Sequence, residues 1–393
     1  MLFIAVFGAG CALVLGLEDK PVVSPEEEGG LPDAADAAPP DLCAHKTPPP
    51  PPATDDDETT KATFVVAVRS FDFAEANDAG TIGFDLDGTC TCADPVGARH
   101  GAGPSCTSRT KVCDQKGGVD NAAAALSFIT SSTSDGKGND KSVKCGRTAL
   151  LLVIGGYNGR ANDTNVAVGP VLSPGLKTQH ELGEQPSSCN PDGGTQPIVY
   201  APRWDGTDEW SSDTTFVLPT TALPKGLLKG YVRDWVLVAQ ADQATNQLVT
   251  VALGPIPVEA SQAIFVGQLE PLDPAGKPLP RNDPGTRATS VRISQGVIAM
   301  RTSATTILRG AGGVPTDTFG GKLCPGNPFY ATFKDTLCQQ LDVMAKPSQD
   351  FSGASCDAIS AGIGFVAEPA HMKPPDEPLD SGIAGCGATP SCD

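Results

Sequence analysis

TFVVAVRSFDF, residues 63–73, is the first stretch of the chain in which apolar and polar residues alternate after an apolar start. Alternation with a period of two is the pattern of a β-strand that has one buried face. Further strand candidates follow it, and these are TALLLVIGGY (148–157), TNVAVGPVL (164–172), TTFVLP (214–219), YVRDWVLVAQ (231–240), NQLVTVALG (246–254), QAIFVGQLE (262–270) and TSVRISQGVIAMR (289–301). The chain is therefore predicted to be mainly β.

Composition limits how these strands are arranged. The 393 residues include 44 glycines and 36 prolines, which suits many turns and short strands better than long helices. The strands do not alternate with regular helices, so a doubly wound parallel sheet is disfavoured. We predict one β-sandwich or jelly-roll-like domain over residues 62–393, with a few short helices and stapled by disulfides.

Two stretches break the strand pattern in favour of helix. DNAAAALSFIT, residues 120–130, offers Asp120 or Asn121 as an N-cap before a run of alanines. PFYATFKDTLCQQLDVMA, residues 328–345, places apolar side chains at four-residue steps and so forms one apolar face. A turn near CDAISAGIGFVA, residues 356–367, is expected to lead into a final strand.

The charge of the chain is negative and unevenly placed. There are 28 Lys and Arg side chains against 46 Asp and Glu, which argues against nucleic acid and anionic membrane surfaces as partners. Residues 18–61 carry twelve acidic side chains and three lysines, contain five consecutive prolines at 48–52, and lack apolar periodicity. This segment is predicted to be a disordered, acidic, proline-rich tether.

The amino-terminal segment is apolar throughout. Residues 1–17, MLFIAVFGAGCALVLGL, contain no charged side chain, and Cys11 follows the small residues of GAG. The segment resembles a bacterial lipoprotein signal, in which cleavage before the cysteine leaves a lipidated thiol, and Ala12 after the cysteine implies outer-membrane sorting. A transmembrane anchor or a plain secretory signal are the alternatives, although 17 residues lie at the lower limit for a span and basic flanks are absent.

The cysteine count points to an oxidising compartment. Thirteen cysteines are present, and lipidation of Cys11 leaves an even number that can pair completely. No CxxC, HxxxH or HExxH pattern occurs, which disfavours zinc and iron–sulfur sites. The cysteines predicted to form disulfides in the domain are Cys90, Cys92, Cys106, Cys113, Cys145, Cys189, Cys324, Cys338, Cys356 and Cys386. Short loops would be closed by Cys324 with Cys338, or by Cys90 or Cys92 with Cys106 or Cys113.

GFDLDGTCTC, residues 83–92, places two aspartates beside two cysteines. Asp85 and Asp87 are followed, beyond the cysteines, by Asp120 and Asn121. Calcium takes six to eight oxygen ligands from such turn-rich segments, but an EF-hand is excluded because Val96 stands where the bidentate Glu belongs. We predict a calcium site if the two segments converge. In the alternative interpretation the first two aspartates shape a turn and Asp120 caps a helix.

A second candidate site is aromatic. Tyr200, Trp204 and Trp210 lie in IVYAPRWDGTDEW, a polar stretch whose rings could stack on sugar faces or, alternatively, pack over the edge of the sandwich. Catalytic patterns are weaker, since HGAG at 100–103 has no GxSxG nucleophile elbow to accompany it. We therefore assign no catalytic residues and favour a protein that is not an enzyme.

Taken together, the CALVLGLED start, the acidic proline-rich spacer, GFDLDGTCTC, GGVDNA and the late CDAISAGIGF resemble a group of cysteine-rich, Gram-negative bacterial predicted lipoproteins of unassigned function. The resemblance implies location and architecture and transfers no catalytic residues. We expect a lipid-anchored outer-membrane protein that acts as a non-enzymatic binding or structural module, whose partner is a glycan or a surface protein. A carbohydrate-binding or carbohydrate-active protein on a jelly-roll scaffold is the alternative.

Overall fold

The computed structural model describes residues 45–57, 59–72, 82–92, 104–126, 141–146, 148–177, 201–212, 227–242, 247–253, 256–312, 323–374 and 391–392. The chain divides into Met1–Pro40 and Asp41–Asp393, and every described residue belongs to the second unit. Several predictions concern residues outside the described ranges, namely those for the signal segment with Cys11, the tether over 18–44, the strand over 214–219, Tyr200, Cys189 and Cys386.

Strands dominate the described residues. They are β1 (Ala62–Asp72), β2 (Ala149–Tyr157), β3 (Asp163–Ser173), β4 (Glu209–Ser211), β5 (Leu228–Arg233), β6 (Val236–Gln240), β7 (Val249–Leu253), β8 (Ile256–Leu272), β9 (Ser290–Ser303), β10 (Ala358–Pro369) and β11 (His371–Lys373). The helices are α1 (Lys141–Lys144), α2 (Ala304–Ala311) and α3 (Pro328–Gln339), with short 3₁₀ turns at Ala122–Leu126 and Pro347–Gln349.

Eight of these strands close into a barrel. Their order is β6-β5-β3-β2-β1-β10-β9-β8, and β8 pairs back onto β6, from Val236 opposite Gln268 to Gln240 opposite Ile264. Every pair in this ring is antiparallel. The early part of the long strand β8 also pairs with β7, while β4 and β11 form a separate two-stranded parallel sheet.

The mainly β prediction is confirmed, but the sandwich or jelly roll is wrong, because the strands form a closed barrel. A period of two reports only that each strand has a buried face, and both architectures satisfy that condition. Closure depends instead on pairing between strands distant in the chain, β1 with β10 and β6 with β8. Local periodicity carries no information about those pairings.

Alternate side chains fill the barrel. All eight ring strands contribute to one buried apolar cluster, to which β1 supplies Phe64, Val66 and Val68. A side chain at Gly296 of β9 would collide with the Phe365 ring of β10, because its Cβ would lie 2.3 Å from a ring carbon. The absence of a side chain at Gly296 therefore leaves the space that the Phe365 ring occupies in the interior.

Parts of the outer barrel surface are also covered. Trp210 of β4 packs with Leu151 and Val153 of β2 in a second apolar cluster. Phe84 and Leu86 pack on β8 and β9 in a third cluster, whose barrel members are Ile264 and Ala299. Burial on both faces explains why β2 reads as a nearly continuous apolar run rather than an alternating one.

The predicted helices are shorter than expected. In α3, the side chain of Asn327 accepts a hydrogen bond from the Phe329 amide, Phe333 and Leu337 are buried, and the helix ends at Gln339. Phe329 itself is 58% exposed and lies off the apolar face. The stretch at 120–130 forms only a 3₁₀ turn in its described part. Among the described residues, no helix combines the length and apolarity needed to cross a membrane.

The described part of the predicted tether lies against the barrel. The Asn162 amide donates to Asp56 Oδ2 at 2.9 Å, and Lys61 Nζ lies 2.9 Å from Asp163 Oδ2. This part of the predicted tether is therefore not free of the body, because Asp56 has a partner in the loop between β2 and β3 and Lys61 has one in the first residue of β3.

Disulfides join distant parts of the chain. Cys92 forms a disulfide with Cys113, one of the alternatives predicted above. Cys338 forms a disulfide with Cys392, so the predicted disulfide between Cys324 and Cys338 is wrong. Cys106 bonds Cys356 across 250 residues of sequence. The other disulfide-bonded cysteines in the described ranges are Cys90, Cys145 and Cys324.

Candidate functional site

The segments 82–92 and 114–121 lie side by side, as the calcium hypothesis requires. The Asp114 amide donates to the Thr91 carbonyl at 3.2 Å, and the Asp120 amide donates to the Phe84 carbonyl at 3.1 Å. The Cys92–Cys113 disulfide closes the loop between the two segments. Residues that are about 30 positions apart in sequence are thereby held together covalently and by backbone hydrogen bonds.

The apolar residues of GFDLDGTCTC fix the orientation of its aspartates. Phe84 and Leu86 are buried on the barrel wall, and Asp85 and Asp87 alternate with them along the chain. Asp85 and Asp87 each bring a carboxylate oxygen close to Asp120 of the second segment. Arg301 of β9 stabilises this segment, because its Nη2 donates to the Leu86 carbonyl at 2.5 Å.

Three carboxylates converge at this point. One oxygen each from Asp85, Asp87 and Asp120 lies within 4.8 Å of the other two. We refer to these three residues as the acidic cluster. Two oxygens bound to one calcium ion at about 2.4 Å can be no more than about 5 Å apart, so this spacing fits one shared ion.

Each carboxylate of the acidic cluster is also held by the backbone. Asp120 Oδ2 accepts from the amides of Leu86 at 2.6 Å and Asp87 at 3.3 Å. Asp87 Oδ1 accepts from the Thr89 amide and hydroxyl, both at 2.9 Å. Asp87 therefore shapes a turn, as the alternative interpretation predicted. Asp120 accepts hydrogen bonds from the facing segment instead of capping a helix.

Asp85 has a different set of neighbours. Its Oδ1 accepts from the Gly88 amide at 2.6 Å, and its Oδ2 contacts Nδ1 of the half-exposed His45. Gly118 lies beside it in the left-handed region with φ +68°, and a Cβ there would approach Asp85 Oδ2 to 3.2 Å. The glycine leaves room next to the carboxylate that a side chain would fill.

Two partly buried aspartates, Asp114 and Asp342, lie close to the acidic cluster. Burial raises the pKa of Asp114 to about 7, and the nearby charge of Asp87 acts in the same direction. Burial likewise raises the pKa of Asp342 to about 7, against the hydrogen bonds from Ser360 that lower it. The pKa of Asp120 is also raised, chiefly by burial.

The positive groups described near these carboxylates are Arg301, His45 and Lys46, and Lys46 Nζ lies 5.5 Å from the centroid of the Phe84 ring. The buried guanidinium of Arg301 lies against both oxygens of Asp350, each at 2.8 Å. His45 contacts Asp85 from the solvent side. The site thus concentrates buried acids that repel one another, and a divalent cation would relieve that repulsion.

Asn121, the fourth predicted ligand, is placed differently. Its side-chain amide donates to the Ile82 carbonyl at 3.1 Å and accepts from the Gly362 amide at 2.9 Å. A Cβ at Gly362 would lie 2.2 Å from the Ile82 carbonyl oxygen, so the glycine permits this close approach. The side chain of Asn121 thus fastens the loop to β10, and its oxygen is engaged by the Gly362 amide.

The predicted aromatic site is only partly assembled. Trp210, in β4, is fully buried and cannot offer a ring face to a sugar. Trp204 is half-buried, with its ring centroid 5.7 Å from that of Trp210. The packing alternative therefore holds for Trp210, while Trp204 keeps an accessible surface.

Sequence reasoning did not find His45, Asp342 or Asp350 as neighbours of the acidic cluster. His45 lies in the predicted tether. Asp342 lies within the helix predicted over 328–345, where a polar side chain on the exposed face gives no sign of a site. Asp114 had a usable signal, because it opens the same DQKGGVDN segment that contains Asp120.

The chain matches no protein-family model, no curated protein and no solved structure.

Proposed function

We propose that the chain is a non-enzymatic binding or structural module of the extracytoplasmic space, held at the outer membrane by a lipid on Cys11, whose barrel carries a structural calcium ion at the acidic cluster. The convergence of Asp85, Asp87 and Asp120 from two segments carries the calcium assignment. All nine cysteines in the described residues are disulfide-bonded, which supports an oxidising compartment.

The donor chemistry favours a hard cation. The acidic cluster offers carboxylate oxygens, and carboxylates together with backbone carbonyls are the ligands that calcium takes in flexible geometry. Magnesium requires near-ideal octahedral geometry and retains its waters, so three carboxylates fixed in place by backbone amides suit it less well. Calcium bound here would tie the segment 82–92 to the segment 114–121 through charge.

Thermal unfolding with and without a chelator tests the calcium assignment. We expect chelation to lower the melting temperature and added calcium to restore it, because an ion that binds only the folded state stabilises it. Calorimetric titration of the chelated protein should give one calcium per chain and a weaker response to magnesium. An unchanged melt on chelation would return Asp85 and Asp87 to turn chemistry alone.

A matched pair of variants separates calcium binding from turn formation. Asp205 Oδ1 accepts from the Thr207 amide at 3.0 Å and hydroxyl at 2.6 Å, the same bonds that Asp87 receives from Thr89. Asp87→Asn and Asp205→Asn both retain a turn acceptor, but only the first removes a charge from the acidic cluster. We expect Asp87→Asn to lose the calcium response and Asp205→Asn to keep it.

The lipid anchor is tested separately. Mass spectrometry of the mature protein should find an acylated Cys11 at the new amino terminus. Cys11→Ser should move the protein from the membrane to the soluble fraction. An unmodified and uncleaved terminus would exclude the anchor and leave the calcium assignment untouched.

A further inference from the structure

A cleft with a volume of about 810 Å³ opens on the barrel surface at Trp204. Its walls come from four stretches of chain, at 204–207, 272–276, 289–292 and 368–371. Small-molecule sites in proteins commonly enclose about 300 to 1,000 Å³, so the cleft is large enough for a sugar unit or a short oligosaccharide. None of the residues of the acidic cluster lines it.

Trp204 lines this cleft and is held in place by its neighbours. Its backbone has φ +58°, a conformation that bulky residues rarely adopt and that surrounding structure must stabilise. The buried carboxylate of Asp208 provides that support by accepting from the amides of Arg203 at 3.0 Å and Trp204 at 2.7 Å. The ring of the buried Trp210 supports the indole from behind. A fixed, half-exposed indole is a surface on which an apolar sugar face can stack.

Hydrogen-bonding groups lie in the same cleft. Glu368, only 3% exposed, accepts from Arg292 Nε at 2.6 Å and from Arg69 Nη1 at 2.9 Å. Arg292 Nη1 also forms an ion pair with Glu270 Oε2 at 3.6 Å, a distance beyond hydrogen-bond range, and a third of the Arg292 side chain is exposed. The guanidinium of Arg292 therefore keeps donors for a ligand while its position is fixed by Glu368.

The charges around the cleft do not favour an anionic ligand. Three carboxylates line the cleft, those of Asp205, Asp273 and Glu368, against the single guanidinium of Arg292 and the exposed imidazole of His371. Arg69, which also bonds Glu368, and Arg203, which acts on Asp205, offset two of these negative charges. The cleft therefore has no excess of positive charge to hold a phosphate or carboxylate, whereas the hydroxyl groups of a neutral sugar can donate to the carboxylates and accept from the guanidinium of Arg292. We propose that this cleft binds a neutral saccharide, with Trp204 as the stacking surface and Arg292 as the principal donor.

Binding should be measured on the full chain with a glycan array, followed by calorimetric titration of each sugar that is retained. The array should include neutral and anionic glycans and inorganic phosphate should be titrated alongside. We expect neutral glycans to be retained, with one site per chain. Retention of no glycan, or of anionic ligands only, would overturn the proposal.

Variants locate the site. Trp204→Ala should weaken binding at least tenfold, which corresponds to about 1.4 kcal/mol, while Phe329→Ala, which removes an exposed aromatic ring outside the cleft, should bind as the wild type does. Because Trp204 also packs on the core, Ala275→Trp is a second variant that fills the cleft from an exposed turn. Wild-type affinity in a folded Ala275→Trp variant would place the sugar elsewhere. Loss of calcium binding would not alter these outcomes, so the two proposals fail independently.

Discussion

The buried ion pair beneath the acidic cluster allows a quantitative prediction. Arg301 is fully buried in β9 and donates to both oxygens of Asp350, to the Met344 carbonyl and to the Leu86 carbonyl. Asp350→Leu leaves this guanidinium buried without its counter-charge. Breaking a buried pair in this way costs about 3–5 kcal/mol. We expect the free energy of unfolding, measured by urea denaturation in saturating calcium, to fall by that amount.

An exposed ion pair provides the control. Lys373 Nζ lies 3.2 Å from Glu209 Oε1, and the two side chains are 46% and 35% exposed, respectively. Glu209→Gln should therefore cost less than about 1 kcal/mol. If Asp350→Leu also costs less than about 1 kcal/mol, the burial argument is wrong for Arg301, and the guanidinium does not depend on Asp350 for its charge balance.

Three other perturbations have defined outcomes. Burial raises the pKa of Asp342 in the folded state from 3.8 to about 7. The folded state therefore binds this proton more tightly than the unfolded state does, and the calcium-free protein should lose stability as pH rises through that interval. Denaturation at pH 5 and pH 8 in chelator should show the loss, and Asp342→Asn should reduce it. Gly362→Ala should destabilise the protein by about 1–3 kcal/mol or more, because the new Cβ overlaps a carbonyl oxygen of the covering loop; a melting temperature equal to that of the wild type would contradict this. Replacing Cys106 and Cys356 by serine should cost about 2–5 kcal/mol, because their disulfide closes a 250-residue interval; unchanged urea midpoints would count against it.

Much of the strand content could be predicted from local sequence, whereas its closure could not. TFVVAVRSFDF and TSVRISQGVIAMR carry the alternation that marks β1 and β9. Closure arises from the pairing of β1 with β10 and of β6 with β8, each between strands that no short window contains. A sandwich and a barrel require the same alternation, so the sequence pattern did not separate them.

The acidic cluster, too, could be predicted from the sequence only in part. Oxygen-rich turns at Asp85, Asp87 and Asp120 were visible as candidate ligands, and the three do meet. Asn121 was grouped with them by adjacency, but neighbouring residues point in different directions, and its amide instead joins Ile82 to Gly362. The surrounding charge of Asp342 comes from a remote segment and was beyond the reach of spacing arguments.

The position of β1 in the ring has a consequence for how the protein matures. Its two neighbours are β2, which follows within the next hundred residues, and β10, which lies almost three hundred residues later. Until β10 has emerged, one edge of β1 presents unpaired amides and carbonyls that another chain could pair with. A protein with this order of strands completes its assembly only after the carboxyl-terminal part is delivered, so a holding chaperone or delayed collapse would protect the unfinished barrel from self-association.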